Sequence, residues 1–132
     1  MASVQREVPV GVSADAAWKA IRDVGATHRL FPGVLTDCRL EDGARVVTFA
    51  NGMVVRELIV DVDDARRRLA YAVVGGRMTH HSASLQVFEA SDGTSRVLWI
   101  ADFLPEAMKA TVEALTEQGS AAMQQALATP AR

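Results

Sequence analysis

Three polar side chains in the middle of the sequence have the chemistry of a binding or catalytic site: Glu57, Tyr71 and His81. Glu57 stands in the strand-like run VVRELIV, residues 54 to 60, where neighbouring side chains point to opposite faces. Arg56 and Glu57 therefore face different media, and we predict Glu57 on the inner face. A carboxylate, a phenol and an imidazole can anchor a ligand by hydrogen bonds or transfer protons.

The turn sequences predict how the strands bring these side chains together. A hairpin centred near residue 64 places Glu57 opposite Tyr71, and Val55 opposite Val73. The next two turns give the pairs Val73–His81, Tyr71–Ala83, Ala83–Ala101 and Leu85–Trp99. All of these positions are odd-numbered, so one face of the sheet is predicted to collect them, with the aromatic rings of Tyr71 and Trp99 beneath a covering helix.

The elements that must position this face read as β-α-α-β6-α. A first strand and a helix capped by Ser13 precede six strand-like runs, at 34 to 41, 44 to 50, 53 to 62, 67 to 74, 80 to 89 and 95 to 104. From 105 to 127 an apolar stripe of period 3.6 predicts one long helix, with Met108, Val112 and Leu115 on the stripe. We predict an α+β fold of one domain, 1 to 132, in which a curved seven-stranded antiparallel sheet wraps around this helix.

A sheet that curls around one helix leaves an elongated space between them, and this space is the predicted binding site. Its polar anchors would be Glu57, Tyr71 and His81. Its apolar lining would be Val55, Val73, Ala83, Trp99, Ala101, Met108, Val112 and Leu115. The alternative for Glu57 is a register shifted by one residue, which makes it an exposed strand residue paired with an arginine.

Composition excludes several other classes of function. The chain has 14 basic and 16 acidic residues and a net charge of −2, which gives no footprint for nucleic acid. No run reaches 18 apolar residues and the first dozen residues carry Arg6 and Glu7, so we expect no membrane insertion, no signal peptide and a cytoplasmic protein. Cys38 is the only cysteine and is predicted to be a packed side chain of a reducing compartment. The sequence does not determine the oligomeric state, and a homodimer stays open.

No cofactor and no metal site are predicted. His80 and His81 are adjacent on a strand, so they point to opposite faces, and one carboxylate adds too little for a closed metal site. The sequence also has no phosphate-binding loop and no serine or cysteine nucleophile with an adjacent base.

Four segments together resemble the SRPBCC superfamily of helix-grip proteins, which includes polyketide cyclases and START-like and Bet v 1-like lipid binders. They are SADAAWKAIRDVG, FPGVLTDC, RELIVDVDDARRRLAYAVVGG and LWIADFLP, and the resemblance extends from about Val4 to Leu127. The third segment is similar to plant abscisic-acid receptors, and this implies that Glu57 lines a pocket. Two receptor features are altered, because the gate loop is reduced to Ala50 to Met53 and the latch to Arg77, Met78 and Thr79. The receptors' pocket lysine falls near Thr36, which implies a neutral or weakly polar ligand and adds Thr36 to the predicted ligand-binding residues.

Three functions are compatible with this sequence. The preferred prediction is a protein that binds a small hydrophobic or aromatic molecule, lipid-like or polyketide-like, between sheet and helix. The first alternative is an enzyme of the polyketide cyclase or dehydratase type, in which Glu57 with His81 or Tyr71 moves protons. The second alternative is a scaffold that binds no ligand. The sequence itself does not decide whether the protein is an enzyme.

Overall fold

The computed structural model describes residues 2–128. Seven strands form one antiparallel sheet: β1 Ala2–Val10, β2 Leu35–Glu41, β3 Ala44–Phe49, β4 Val54–Asp63, β5 Arg68–Val74, β6 His80–Glu89 and β7 Ser95–Leu104. Three α-helices accompany them: α1 Ala14–Arg22, α2 Thr27–Leu30 and α3 Lys109–Ala126. The predicted α+β helix-grip fold, with a curved seven-stranded sheet and a long C-terminal helix, is confirmed.

The order of the strands across the sheet is β1-β7-β6-β5-β4-β3-β2. Every strand from β2 to β7 pairs with its sequence neighbour, because short turns connect them, while β1 returns to pair with β7. The strands β1 and β2 are therefore the two edges. The segment with helices α1 and α2 connects these two edge strands. Its buried side chains are part of the hydrophobic core: Trp18, Ile21, Leu30 and Phe31.

The predicted register is correct for β6 and β7 and wrong for β4 and β5. Tyr71 pairs with Ala83, and the predicted pairs Ala83–Ala101 and Leu85–Trp99 are also found. Glu57, however, lies opposite Val73 rather than Tyr71, and the partner of Tyr71 on β4 is Ile59. Val55 has its partner on β3 and is not opposite Val73.

A longer turn after β4 explains this error, and a β-bulge partly corrects it. The turn after β4 is longer than the sequence-based centre implied, since Asp63 pairs with Arg68. The register then shifts between Ile59 and Asp61, which leaves Val60 as the extra residue, 63% exposed. This second shift restores pairing between odd-numbered residues, so Glu57 still faces inward although its cross-strand partner is different.

Helix α3 covers the concave face of the sheet. Val112, Gly119 and Met123 are buried on one side of it, at the spacing that the apolar stripe predicted. A methyl group at Gly119 would lie 2.8 Å from Cη2 and 2.9 Å from Cζ3 of Trp99. The absence of a side chain at Gly119 therefore lets the helix backbone approach the indole ring of β7 directly. No helix within residues 2–128 is long and apolar enough to cross a membrane.

Candidate ligand-binding cavity

A cavity of about 340 Å³ lies between the concave face of the sheet and the first half of α3. Its walls are mostly apolar side chains from β4 to β7, from α2 and the residues after it, and from α3. The exposed residues among its lining belong to the β3–β4 turn, the first residues of β4, the β5–β6 loop and the start of α3. These segments form its mouth, where Met53 and Val54 expose apolar side chains.

Ten of the twelve predicted ligand-binding residues line this cavity: Val55, Glu57, Tyr71, Val73, His81, Trp99, Ala101, Met108, Val112 and Leu115. The other two do not. Thr36 lies at the bulge of the edge strand β2, where its hydroxyl donates to the carbonyl of Thr48 at the surface. Ala83 is on the predicted face, but it is packed within the core and does not reach the cavity.

The wall contains a buried ion pair that the sequence reading missed. Arg45 lies directly opposite Glu57, and its Nε donates to Oε1 of Glu57 over 2.7 Å. The exposed fractions of the two side chains are 3% and 13%. Arg45 also donates to the carbonyl of Val24, and its guanidinium lies 5.2 Å from the ring centroid of Tyr71. The carboxylate of Glu57 is therefore neutralised inside the wall by a cation with three partners.

The signal for Arg45 was present in the sequence. The Asn51-Gly52 turn centres the β3–β4 hairpin near residue 51, and pairing about that centre puts Arg45 opposite Glu57. Arg56, the charged neighbour of Glu57, borders the mouth of the cavity, while its Nε lies 3.7 Å from Oε2 of Glu41 and 43% of its side chain is exposed, as predicted for the solvated face.

Tyr71 is held as a protonated phenol. The Nε1 of Trp99 donates to the Tyr71 hydroxyl over 3.0 Å, and the indole in turn packs against Phe31 with ring centroids 5.4 Å apart. Burial, and next the negative charge of Glu57, raises the pKa of Tyr71 well above its usual value of 10.0. Because its oxygen accepts from Trp99, the phenol keeps its own hydrogen available for another partner.

His81 is held as a neutral imidazole at the end of the β5–β6 ladder. The ladder stops at Tyr71 and Ala83, and beyond it the backbone N–H of Val73 donates to Nδ1 of His81 over 3.0 Å. The nitrogen Nδ1 is therefore an acceptor, and the remaining proton is on Nε2. Burial, and next the proximity of His80, lowers the pKa of His81 from 6.5 to about 4.

Comparison with known proteins agrees with this geometry. The family whose model matches residues 1–131 is described as polyketide cyclase / dehydrase and lipid transport. The chain belongs to this family. No curated protein matches it.

Three solved structures from other organisms have the same fold as this chain. The protein XoxI from Bacillus cereus is 21% identical, with a TM-score of 0.87 over 96% of each chain. A START superfamily protein from Mycobacterium smegmatis is 15% identical, with a TM-score of 0.76 over 95% of this chain and 96% of its own. Truncated norcoclaurine synthase from Thalictrum flavum is 22% identical, with a TM-score of 0.72 over 96% of this chain and 90% of its own. At these identities the likeness establishes the fold alone.

Cys38, the single cysteine of the chain, does not line the cavity. The thiol of Cys38 donates to the carbonyl of Val24 over 3.6 Å, and burial raises its pKa, so it is an inert packed group rather than a thiolate nucleophile. Within residues 2–128, no three histidine, cysteine, aspartate or glutamate side chains lie close enough together to hold a metal ion.

The lowered pKa of His81 predicts acid sensitivity. The unfolded chain takes up this proton near pH 6.5, whereas the folded protein resists it until about pH 4. The contribution of His81 is therefore complete above pH 6.5, and the free energy of unfolding should fall as the pH decreases from 6.5 to 4. Urea unfolding at several pH values should show a shallower fall in His81→Gln. The same change at the exposed neighbour, His80→Gln, removes only the smaller cause of the lowered pKa and should alter the slope less than His81→Gln does. An unchanged slope in His81→Gln would contradict the prediction.

Proposed function

We propose that this protein binds a small hydrophobic or aromatic molecule in the cavity between the sheet and α3. The observation that carries the proposal is a preformed cavity of about 340 Å³ with mostly apolar walls and a few polar groups aimed into it. Empty apolar space of this size weakens packing, because its lining atoms lose contacts that a ligand would supply. The family description, which covers cyclisation and lipid transport, is compatible with such a ligand.

The hydrogen bonds favour binding over proton transfer. The one acceptor nitrogen of the neutral His81 ring, Nδ1, is engaged by the backbone N–H of Val73, so His81 has no lone pair for a general base, and the charge of Glu57 is balanced by Arg45. Tyr71 is a donor, since burial keeps it protonated. These three groups are suited to orient a ligand rather than to remove a proton from it.

A variant that fills the cavity tests the proposal. Ala101 lines the cavity from β7, so Ala101→Leu should occupy part of the space without adding charge. In isothermal titration calorimetry, 2-acetonaphthone should bind to the wild type, and its affinity for Ala101→Leu should fall at least about tenfold. Native mass spectrometry of the purified protein should also reveal any small molecule that is retained from the cell.

The matched control is Ala72→Leu on the opposite face of β5, which adds the same side chain away from the cavity and should bind 2-acetonaphthone like the wild type. Equal affinity in Ala101→Leu and Ala72→Leu would place binding elsewhere. If the wild type neither binds this probe nor retains any small molecule, the proposal is contradicted and a scaffold that binds no ligand is favoured.

A further inference from the structure

The polar groups of the cavity divide into an acceptor and donors. The carboxylate of Glu57 uses Oε1 to accept from Arg45, and no hydrogen bond to its Oε2 is formed among residues 2–128. The side chain keeps 13% of its surface accessible and lines the cavity. Oε2 is therefore an acceptor in an apolar wall, and it gains most from a ligand group that donates a hydrogen bond.

The charge of the pair restricts what that group can be. A ligand anion beside Glu57 would be repelled by the carboxylate, and a ligand cation would be repelled by Arg45 and would lose its own hydration. The two charges of the pair cancel, so the wall attracts neither sign strongly. An uncharged hydroxyl satisfies Oε2 without either penalty.

Tyr71 and His81 supply the complementary donors. The hydroxyl hydrogen of Tyr71 is free because its oxygen accepts from Trp99, and His81 carries its proton on Nε2 because Nδ1 accepts from Val73. The two rings are neighbours, with centroids 6.0 Å apart. Two donors in one region of the wall fit a carbonyl oxygen, which has two lone pairs.

The size of the cavity limits the ligand to a small molecule. A volume of about 340 Å³ is near the lower end of the roughly 300–1,000 Å³ that small-molecule sites span. The space suits one or two fused rings rather than an extended acyl chain or a ring system of four rings. The Phe31 and Trp99 rings form an aromatic part of its wall.

We propose that the cavity selects an uncharged molecule of one or two fused rings that carries a hydroxyl and a carbonyl, with the hydroxyl donating to Glu57 and the carbonyl accepting from Tyr71 and His81. This inference rests on the proposed ligand-binding function and adds its specificity. Glu57 is then the residue that distinguishes a hydroxylated ligand from its deoxy analogue, since an unmet buried acceptor carries a penalty.

Three probes of one ring system test the selection on the wild-type protein by isothermal titration calorimetry. We expect 6-hydroxy-2-acetonaphthone to bind about tenfold or more tightly than 2-acetonaphthone, which lacks the hydroxyl. We expect 6-hydroxy-2-naphthoate to bind about tenfold more weakly than the hydroxyketone, because Arg45 is already engaged by Glu57 and the anion would lose its hydration.

Glu57→Gln provides the matched variant, because its amide oxygen can still accept from Arg45 while the carboxylate is lost. After circular dichroism has confirmed a folded protein, the ratio between the affinities for 6-hydroxy-2-acetonaphthone and 2-acetonaphthone should fall below about threefold. Equal affinities of the two ketones for the wild type would overturn this inference and leave the proposed function intact. Binding of none of the three probes would overturn both.

Discussion

Arg45→Met is expected to lower the free energy of unfolding by about 3–5 kcal/mol, because it leaves the carboxylate of Glu57 unpaired in an apolar wall. Arg45 is 2% exposed, and its guanidinium also serves the carbonyl of Val24 and the ring of Tyr71. Methionine keeps much of the length and the apolar stem of arginine, so the loss of stability measures the contribution of the charge and its hydrogen bonds. Chemical denaturation followed by circular dichroism measures the change.

Two further variants separate this effect from general disruption of the sheet. The double variant Arg45→Met with Glu57→Leu removes both charges and should recover most of the lost stability, since a buried pair is often replaceable by apolar side chains. Arg56→Met, one strand away, breaks only an exposed pair and should change the stability by less than about 1 kcal/mol. If Arg45→Met costs no more than Arg56→Met, the ion pair is not buried as described.

Met123→Asp is expected to cost at least about 4 kcal/mol and to abolish most of the folded population. The side chain of Met123 is fully buried where α3 meets the core. An aspartate there would have to be protonated, or water would have to enter between α3 and the sheet. The measurement is the thermal unfolding midpoint, with the loss of near-ultraviolet circular dichroism as a second readout.

The neighbouring residue gives the control for Met123→Asp. Gln124 is exposed on the next position of α3, so Gln124→Asp changes the same helix by a charge without burying it. It should lose no more than about 2 kcal/mol, because it removes an exposed hydrogen bond from Nε2 of Gln124 to the carbonyl of Pro9 and a little helix propensity. Similar midpoints for the two variants would show that α3 is not docked through Met123.

The sequence predicted the architecture well because that information is local and periodic. Short turns force sequence neighbours to pair, which is why Tyr71 with Ala83 and Leu85 with Trp99 could be placed correctly. The period of 3.6 after Pro105 identified α3 and its buried side. The family resemblance then agreed with a fold that these patterns had already indicated.

The site was only partly predictable, because its geometry depends on irregular backbone. The turn after β4 is longer than the sequence suggested, which would place Glu57 opposite Val74, and the bulge at Val60 then shifts its partner to Val73. The bulge leaves no clear trace in a run of apolar residues. The replacement of a ladder bond by Nδ1 of His81 likewise depends on strands that diverge. Thr36 was included through the family resemblance, and in the structure it lies on the bulged edge strand, outside the cavity lining.

The close approach at Gly119 makes the capacity of the cavity adjustable by a single position. The indole of Trp99 lies against the backbone of α3 and also forms part of the cavity wall. A larger residue at position 119 would have to push either the helix outward or the indole inward, and the indole has empty space beside it. A substitution at position 119, which itself borders the cavity, can therefore change the size of ligand that the cavity admits without any change in the sheet or its polar side chains.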